Sequence, residues 1–454
     1  MPRQTSAGPK LLHVFLVDRP VGQIEQDKSG ALSFAYDDAW RNGAIQIPLS
    51  LSMPLAQKRY EDATIEAWLW GLLPENPALL QSWGRQFQVS PNAFALLSAV
   101  GADCAGAVQF LTPEALENRT HDAIEWLAEA EIGRRLGMLR QNGSAGRRLG
   151  DSGQFSLAGA QPKTALYFDP QGKRWGVPSG RIPTTHILKP PMPHLQGQVE
   201  NEHFCLLLAA KAGLRAAKSS VMTFDGERVI VVERYDRLRR GDRVIRVHQE
   251  DMCQASGVRP ELKYEKDGGP GVVAITRDVL SKSDRPDIDR WRFIEAIVFN
   301  FLIVGTDAHA KNYSMLLGPK GSARFAPLYD VVSVLPHLGK DELNVDFQKL
   351  KLAMRIGGYH AVDAIYPRHW DETSEEAGLQ ADTVMGLLRH HIATLGDLAS
   401  DTAAEASDLH HPVLNRLVDC LNSRLKGLIK HYGAESLPAK ERPWASFDSP
   451  RKAA

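Results

Sequence analysis

Thr306-Asp307-Ala308-His309-Ala310-Lys311-Asn312, followed after a short β-like run by Leu328-Tyr329-Asp330, decides how this chain is read. An acid, an amide five positions on, and a second acid behind an apolar run are the groups that phosphoryl transfer from magnesium-bound ATP requires. Asp307 is placed to accept the proton of an attacking hydroxyl. Asn312 and Asp330 are placed to hold metal against the phosphates, and His309 stands where it can touch the transferring group. Any lone D-x-x-x-x-N is more commonly turn chemistry, with the acid capping a turn and the amide filling an Asx turn. Placement argues against that here. The run from Phe293 to Val304 is apolar on nearly every face, which predicts a helix buried all round, with Gly305 as its stop.

Working outward, the chain divides by pattern. Residues 1–112 read as a mixed α/β subdomain, with β-like runs at Leu12–Leu16 and Val108–Leu111 around a helical pattern at Ile65–Leu73. Ile47–Met53 alternates Leu and Ser between prolines and predicts an exposed or edge strand. Residues 113–150 read as an amphipathic connector ending in a polar linker, Asn142–Arg148. Strands dominate residues 151–250 and helices dominate 251–435, with Val384–Leu395 and Val413–His431 the clearest. Residues 436–454 read as a flexible tail. A strand-rich segment before a helix-rich one that carries the acids predicts an α+β, bilobal, protein-kinase-like fold with an all-helical C-terminal lobe and ATP in the cleft.

Three further segments fit that cleft. Ser156-Leu157-Ala158-Gly159-Ala160-Gln161-Pro162-Lys163 is a small-residue turn whose backbone N–H groups can approach phosphate, although it lacks the Walker A spacing. Thr185–Pro190 is a short strand ending in Lys189, which can neutralise phosphates if Glu200 or, preferably, Glu202 of the next helix holds it. Val229–Asp236 is an apolar strand that turns polar at Glu233 and Tyr235, as a hinge reading an adenine edge would. The arginines from Arg237 to Arg246 read as a solvated hairpin around Gly241 rather than a nucleic-acid patch.

Composition sets the bounds. Lys+Arg and Asp+Glu are equal at 54 each, so no global field recruits DNA or an anionic membrane. Cys104, Cys205, Cys253 and Cys420 form no C-x-x-C, which points to a reducing cytoplasm without a zinc or disulfide framework. No apolar run reaches a membrane span, and no membrane partner is expected.

The segments SLAGAQPKTAL, THILKP, ENEHFCLLLAAKAGL, VVERYDR, HQEDMCQASGV, KYEKDGGPG, GTDAHAKNYSM and LYDVVSVLP resemble the HipA family of bacterial kinase toxins, and PLSLSMPL, GLLPENP and GADCAGAVQFL extend the likeness to the N-terminal part. The resemblance implies a serine/threonine protein kinase using ATP and Mg2+. Asp307 would be its base, with His309 beside it, and Asn312 and Asp330 its metal ligands. Lys189 and Lys311 would lie by the nucleotide, with Glu233, Tyr235 and Gln249 around adenine and ribose. Ser156, Ala158, Gly159, Ala160, Gln161 and Lys163 would form the phosphate loop, and Ser156 would be an autophosphorylation site. It further implies a HipB-like helix-turn-helix antitoxin, operator DNA contacted mainly through that antitoxin, glutamyl-tRNA synthetase as substrate, and dormancy as outcome. Pro162 departs from the family loop, where an acidic residue can occur, and removes one N–H donor. A small-molecule phosphotransferase, a catalytically idle corepressor, and a metal hydrolase on Asp307 and His309 are the competing readings.

Overall fold

In the computed structural model the described residues are 10–117, 122–141, 156, 158–192, 195–339, 345–406, 409, 411–438 and 441–444. The expected linker Asn142–Arg148, Leu157 of the small-residue loop and residues 439–440 and 445–454 of the tail lie outside them, while Trp444, read as part of a flexible tail, is buried and stacks on Trp291 at 5.7 Å.

β1 (Lys10–Leu16), β2 (Arg19–Gln26), β3 (Leu32–Tyr36), β4 (Arg59–Glu61) and β5 (Val108–Leu111) form an antiparallel sheet in the order β4-β3-β2-β1-β5. Alternation turns Leu12, Val14, Leu16, Ile24 and Phe34 into a core shared with the helices Asp62–Trp70 and Ala93–Val100. Ile47–Met53 is not the expected strand. Only a Ser50–Met53 bridge forms, because side chains take the backbone donors a ladder would need: Leu49 N–H donates to Tyr36 Oη at 2.6 Å and Leu51 N–H to Glu250, distant in sequence, at 2.7 Å.

The second sheet runs β10-β11-β9-β7-β8-β6, from β6 (Ala123–Trp126), β7 (Thr164–Asp169), β8 (Arg174–Ser179), β9 (His186–Lys189), β10 (Ser219–Phe224) and β11 (Glu227–Glu233). The helix Glu129–Gln141 lays Ile132, Leu136 and Leu139 on its outer face against Trp175, Val177, Leu188, Val229 and Val231. Residues 113–141, expected as a connector, thus supply this sheet with an edge strand and a covering helix. β10 and β11 turn through Asp225 and Gly226, both at positive φ, the conformation a two-residue Asp-Gly hairpin demands.

β12 (Arg237–Arg240) and β13 (Arg243–Arg246) form the expected hairpin, with Gly241 at φ +57°. The solvated-face reading holds for Arg239, Arg240 and Arg243 but not for Arg237 and Arg246. Those two are buried with Arg234 against Asp103 and Asp236, at 2.9 Å for Arg237–Asp103, 3.0 Å for Arg246–Asp103 and 2.8 Å for Arg234–Asp236. Asp103 comes from the N-terminal subdomain, so these charges bolt that subdomain to the second sheet.

The C-terminal lobe is helix-dominated rather than all-helical. The helices Pro286–Leu302, Pro367–Ala377, Ala381–Glu405 and Pro412–Tyr432 dominate it, but it also holds β14 (His248–Asp251), β15 (Ser314–Leu317) and β16 (Ala323–Phe325), on which Pro286–Leu302 packs, with β17 (Lys351–Ile356) and β18 (Tyr359–Ala361) as a hairpin. Strands appear here because both acid-bearing segments adjoin the same end of the antiparallel β15–β16 pair, one entering at Ser314 and the other leaving after Phe325, where Ala326 N–H donates to Ser314 O at 2.9 Å and holds them together. Helix Pro286–Leu302 is buried through Phe293, Ile294, Ile297, Val298, Phe301 and Leu302, as its sequence predicts. Its left-handed residue is Val304, at φ +55°, rather than Gly305. Gly305 serves close packing instead, since a Cβ there would lie 2.4 Å from Asn300 Oδ1.

Candidate active site

Lys189, at the end of β9, is buried and its Nζ is held by Glu202 Oε1 at 2.7 Å and by Asp330 Oδ1. Glu202 is the holder preferred from sequence, while Glu200 pairs with Arg228. Burial alone would depress the ammonium, but Asp330 and Glu202 outweigh it and hold Lys189 protonated, above its ordinary range. Asp330 is likewise pushed up by burial, yet Lys189 and Lys163 overcome this and keep it ionised, well below the carboxylate range. Asp330 sits at φ +52°, which is uncommon for a non-glycine residue and tolerated by Asp. The turn beyond it is clamped by the helix Gln198–Lys211 that carries Glu202. Asn201 Nδ2 donates to Ser333 O at 2.8 Å and its Oδ1 accepts Ser333 N–H at 3.1 Å. One helix therefore fixes both the lysine and the second acid.

Asp307 and Asn312 share the loop after helix Pro286–Leu302. Asn312 Nδ2 donates to Asp307 O at 2.8 Å, which closes the loop and leaves the amide oxygen for a ligand. Asp307 Oδ1 accepts from Tyr264 Oη at 2.5 Å. Cleft walls raise the Asp307 carboxyl above its ordinary value, with Tyr264 opposing, and the proximity of Asp330 adds to the rise. With 71% of its side chain exposed, solvent screens these effects, and geometry carries its assignment. His309 is buried and neutral, its pKa lowered to about 4 by burial and by Lys263, and its Nδ1 finds no partner among the described residues. Its Nε2 is 4.0 Å from Asp307 Oδ1.

Lys311 is directed away from this cluster. Its buried Nζ donates to Asp251 Oδ2 at 2.6 Å and Gly71 O at 3.2 Å, so it anchors the loop to β14 and the N-terminal subdomain. Tyr329 Oη donates to Lys311 O at 2.6 Å and lies 2.6 Å from Ser314 Oγ. Its ring stands 5.7 Å from that of Tyr235, whose hydroxyl reaches Gln249. These three polar aromatic and amide groups make a wall of the kind a purine edge needs. Glu233, next in the chain, has an exposed side chain and its N–H donates to Lys218 O at 2.8 Å.

In the small-residue loop, Lys163 Nζ donates to Ala158 O at 2.8 Å, and burial lowers its pKa. Gly159 lies at φ +102°, and a Cβ there would come 2.7 Å from Lys163 Nζ. Its carbonyl accepts Glu75 N–H at 3.3 Å, and Gln161 Nε2 donates to Pro190 O at 3.3 Å beside Ala160. Ser156 stands apart, fully buried, with its hydroxyl on Leu72 O at 2.8 Å. Sequence reasoning missed Tyr264, Lys263 and Glu75, although KYEKDGGPG and GLLPENP were visible as motifs. Lys263 Nζ meets Glu75 Oε2 at 2.5 Å. Among the described residues no group of three His, Cys, Asp or Glu could hold a metal, so the hydrolase reading on Asp307 and His309 lacks its ligands.

The donor set suits a nucleotide with a divalent cation: a bare cradle at Gly159, two lysines, an ionised Asp330 and a freed amide oxygen at Asn312. The mixed α/β fold is of the kinase-like class. The chain belongs to the HipA family. Residues 12–111 match the HipA N-terminal domain and residues 155–398 the HipA-like C-terminal domain. It is 36% identical to a putative kinase, Y4mE, of Sinorhizobium fredii, over 92% of this chain and 98% of that one. It is 31% identical to the serine/threonine-protein kinase toxin HipA of Shewanella oneidensis, over 78% and 80% of the two chains. A solved Shewanella oneidensis complex of HipA, HipB and operator DNA contains a chain that matches with TM-score 0.78 and 25% identity, covering 93% of this chain and 98% of that one. No helix among the described residues is long and apolar enough to cross a membrane.

Proposed function

We propose that the chain is an ATP- and magnesium-dependent serine/threonine protein kinase acting as the toxin of a toxin–antitoxin pair. The observation that carries this reading is convergence: Lys189 bridges Glu202 and Asp330, while Asp307 lies within electrostatic reach of Asp330 and shares a closed loop with Asn312. Magnesium-bound ATP, when present, supplies the phosphoryl group and the cation that neutralises it. Asp307 takes the proton of the acceptor hydroxyl. Asn312 Oδ1 and the Asp330 carboxylate hold the cation, Lys189 and Lys163 balance phosphate charge, and Tyr235, Gln249 and Tyr329 flank the base. His309, with its Nε2 4.0 Å from Asp307 Oδ1, stands beside the base where it can meet the transferring group.

Ser156 is the proposed autophosphorylation site. Because its hydroxyl is sealed on Leu72 O, the segment must leave its seat to react. A phosphate carrying about −1.5 to −2 charges cannot return to a carbonyl-lined socket, so the reaction disables the loop. A Ser156→Ala variant should then keep its activity during incubation with ATP while the parent loses it; identical decay in both would contradict this.

A HipB-like DNA-binding antitoxin is the proposed partner, with operator DNA reached mainly through it. Balanced charge on this chain and the composition of the solved Shewanella complex support that arrangement. Glutamyl-tRNA synthetase, implied by the family resemblance, is the first acceptor to test. Incubation with labelled ATP and a bacterial lysate should label protein serines with the parent and not with Asp307→Asn. Equal labelling by both would overturn the kinase reading.

A further inference from the structure

The segment 260–271 crosses the site as a strap fastened at several points. Lys263 Nζ is pinned by Glu75 of the N-terminal subdomain, and Lys263 O accepts Ala310 N–H at 3.2 Å. Further on, Glu265 takes Arg355 N–H at 2.6 Å and Arg355 Nε at 2.9 Å. Gly271 is required for this closure, since a Cβ there would lie 2.2 Å from the Glu265 carboxylate. Tyr264 lies between these fastenings. Its ring stands edge-on to His309 at 5.1 Å, and its hydroxyl donates to Asp307 Oδ1 at 2.5 Å.

A general base must stand within hydrogen-bond reach of the hydroxyl it deprotonates. Asp307 already has a hydroxyl at that distance, and it belongs to the protein. Asn312 secures the Asp307 backbone from the buried side, whereas Tyr264, half-buried, meets the carboxylate at its exposed end. We propose that Tyr264 fills the acceptor subsite as an internal stand-in for the substrate hydroxyl, so that an incoming acceptor, or water, must displace it. The proposal rests on Asp307 being the base. Because Glu75 fastens Lys263, the N-terminal subdomain sets how firmly Tyr264 stays. The strap thereby acts as a specificity filter: only an acceptor that can lift Tyr264 off Asp307 gains the base.

Phosphate release from magnesium-bound ATP, with water as the acceptor, tests this on the full chain. Tyr264→Phe should raise kcat about threefold or more, the order expected for one hydrogen bond that no longer competes, with KM for ATP unchanged. Glu75→Gln should move kcat the same way by less. Asp307→Asn should abolish release alone and in combination with Tyr264→Phe, and matching melting curves will show that each variant folds. Unchanged or slower release from Tyr264→Phe, with release still abolished by Asp307→Asn, overturns the stand-in role and leaves the kinase reading intact. Release that survives Asp307→Asn overturns both.

Discussion

Asp330 joins two demands in one residue, since its backbone is left-handed and its carboxylate is shared with Lys189. Asparagine tolerates the same backbone, so Asp330→Asn removes charge without adding strain. Glu202 remains to hold Lys189, and the melting temperature should stay within a few degrees. Phosphoryl transfer from labelled ATP should fall about a hundredfold or more, the scale of losing one electrostatic stabiliser of a developing charge. Retained transfer in Asp330→Asn would remove this residue from the metal site. Val304 shows the same economy at the other acid-bearing segment. A β-branched residue at φ +55° costs about 1–3 kcal/mol, and it persists because Val334 N–H bonds its carbonyl at 3.2 Å and its side chain is fully buried.

Between elements, the buried cluster of Asp103, Asp236, Arg234, Arg237 and Arg246 fixes the N-terminal subdomain to the second sheet. Asp103 also accepts Thr184 N–H at 3.0 Å and Thr184 Oγ1 at 2.7 Å. Asp103→Ala leaves guanidinium groups buried without their carboxylate and should destabilise the protein by about 3–5 kcal/mol. Calorimetry should record a melting temperature lower by roughly 3–5 °C; a shift under about 1 °C would make the cluster energetically neutral. The sequence made local features legible. Helix Pro286–Leu302 announced itself by the run from Phe293, apolar on nearly every face, the β12–β13 hairpin by Gly241, and Glu202 by its place on the helix following Lys189. What stayed hidden depends on partners remote in the chain. Lys311 finds Gly71 across 240 positions, Ser50 finds Glu250 across 200, and Tyr264 finds Asp307 across 43. No periodicity encodes such pairings, so Lys311 read as a nucleotide ligand, Ile47–Met53 as a strand and Arg237 as solvated.

At the scale of the whole molecule, buried neutral histidines set the response to acid. Burial lowers His248 and His186 to about 4 and His391 to about 3. Their unfolded value is about 6.5. Above that pH both states are neutral and stability is full. As pH falls from 6.5 towards 4, the unfolded chain takes up protons that the folded chain refuses, and stability is lost, by roughly 3 kcal/mol for a fully buried group such as His248. Glu250 runs the other way: burial raises it to about 7, so folding favours its protonated form and its contribution shrinks as pH rises from about 4.5 to 7. Burial also raises Glu202 and Asp307, but with His309 and His390 likewise lowered to about 4 the histidines outnumber these acids, and melting followed by circular dichroism should show a lower midpoint at pH 5 than at pH 7. A higher midpoint at pH 5 would mean that these rings are charged in the fold.

The account depends on Asn312 and Asp330 sharing one divalent cation beside Lys189, with Asp307 facing the transferred group. A crystal structure with a non-hydrolysable ATP analogue and Mn2+ tests this most directly, because the anomalous signal locates the metal. The account predicts a metal about 2.0–2.3 Å from Asn312 Oδ1 and an Asp330 carboxylate oxygen, with the triphosphate between Lys163 and Lys189. A metal and nucleotide bound away from these oxygens would contradict it.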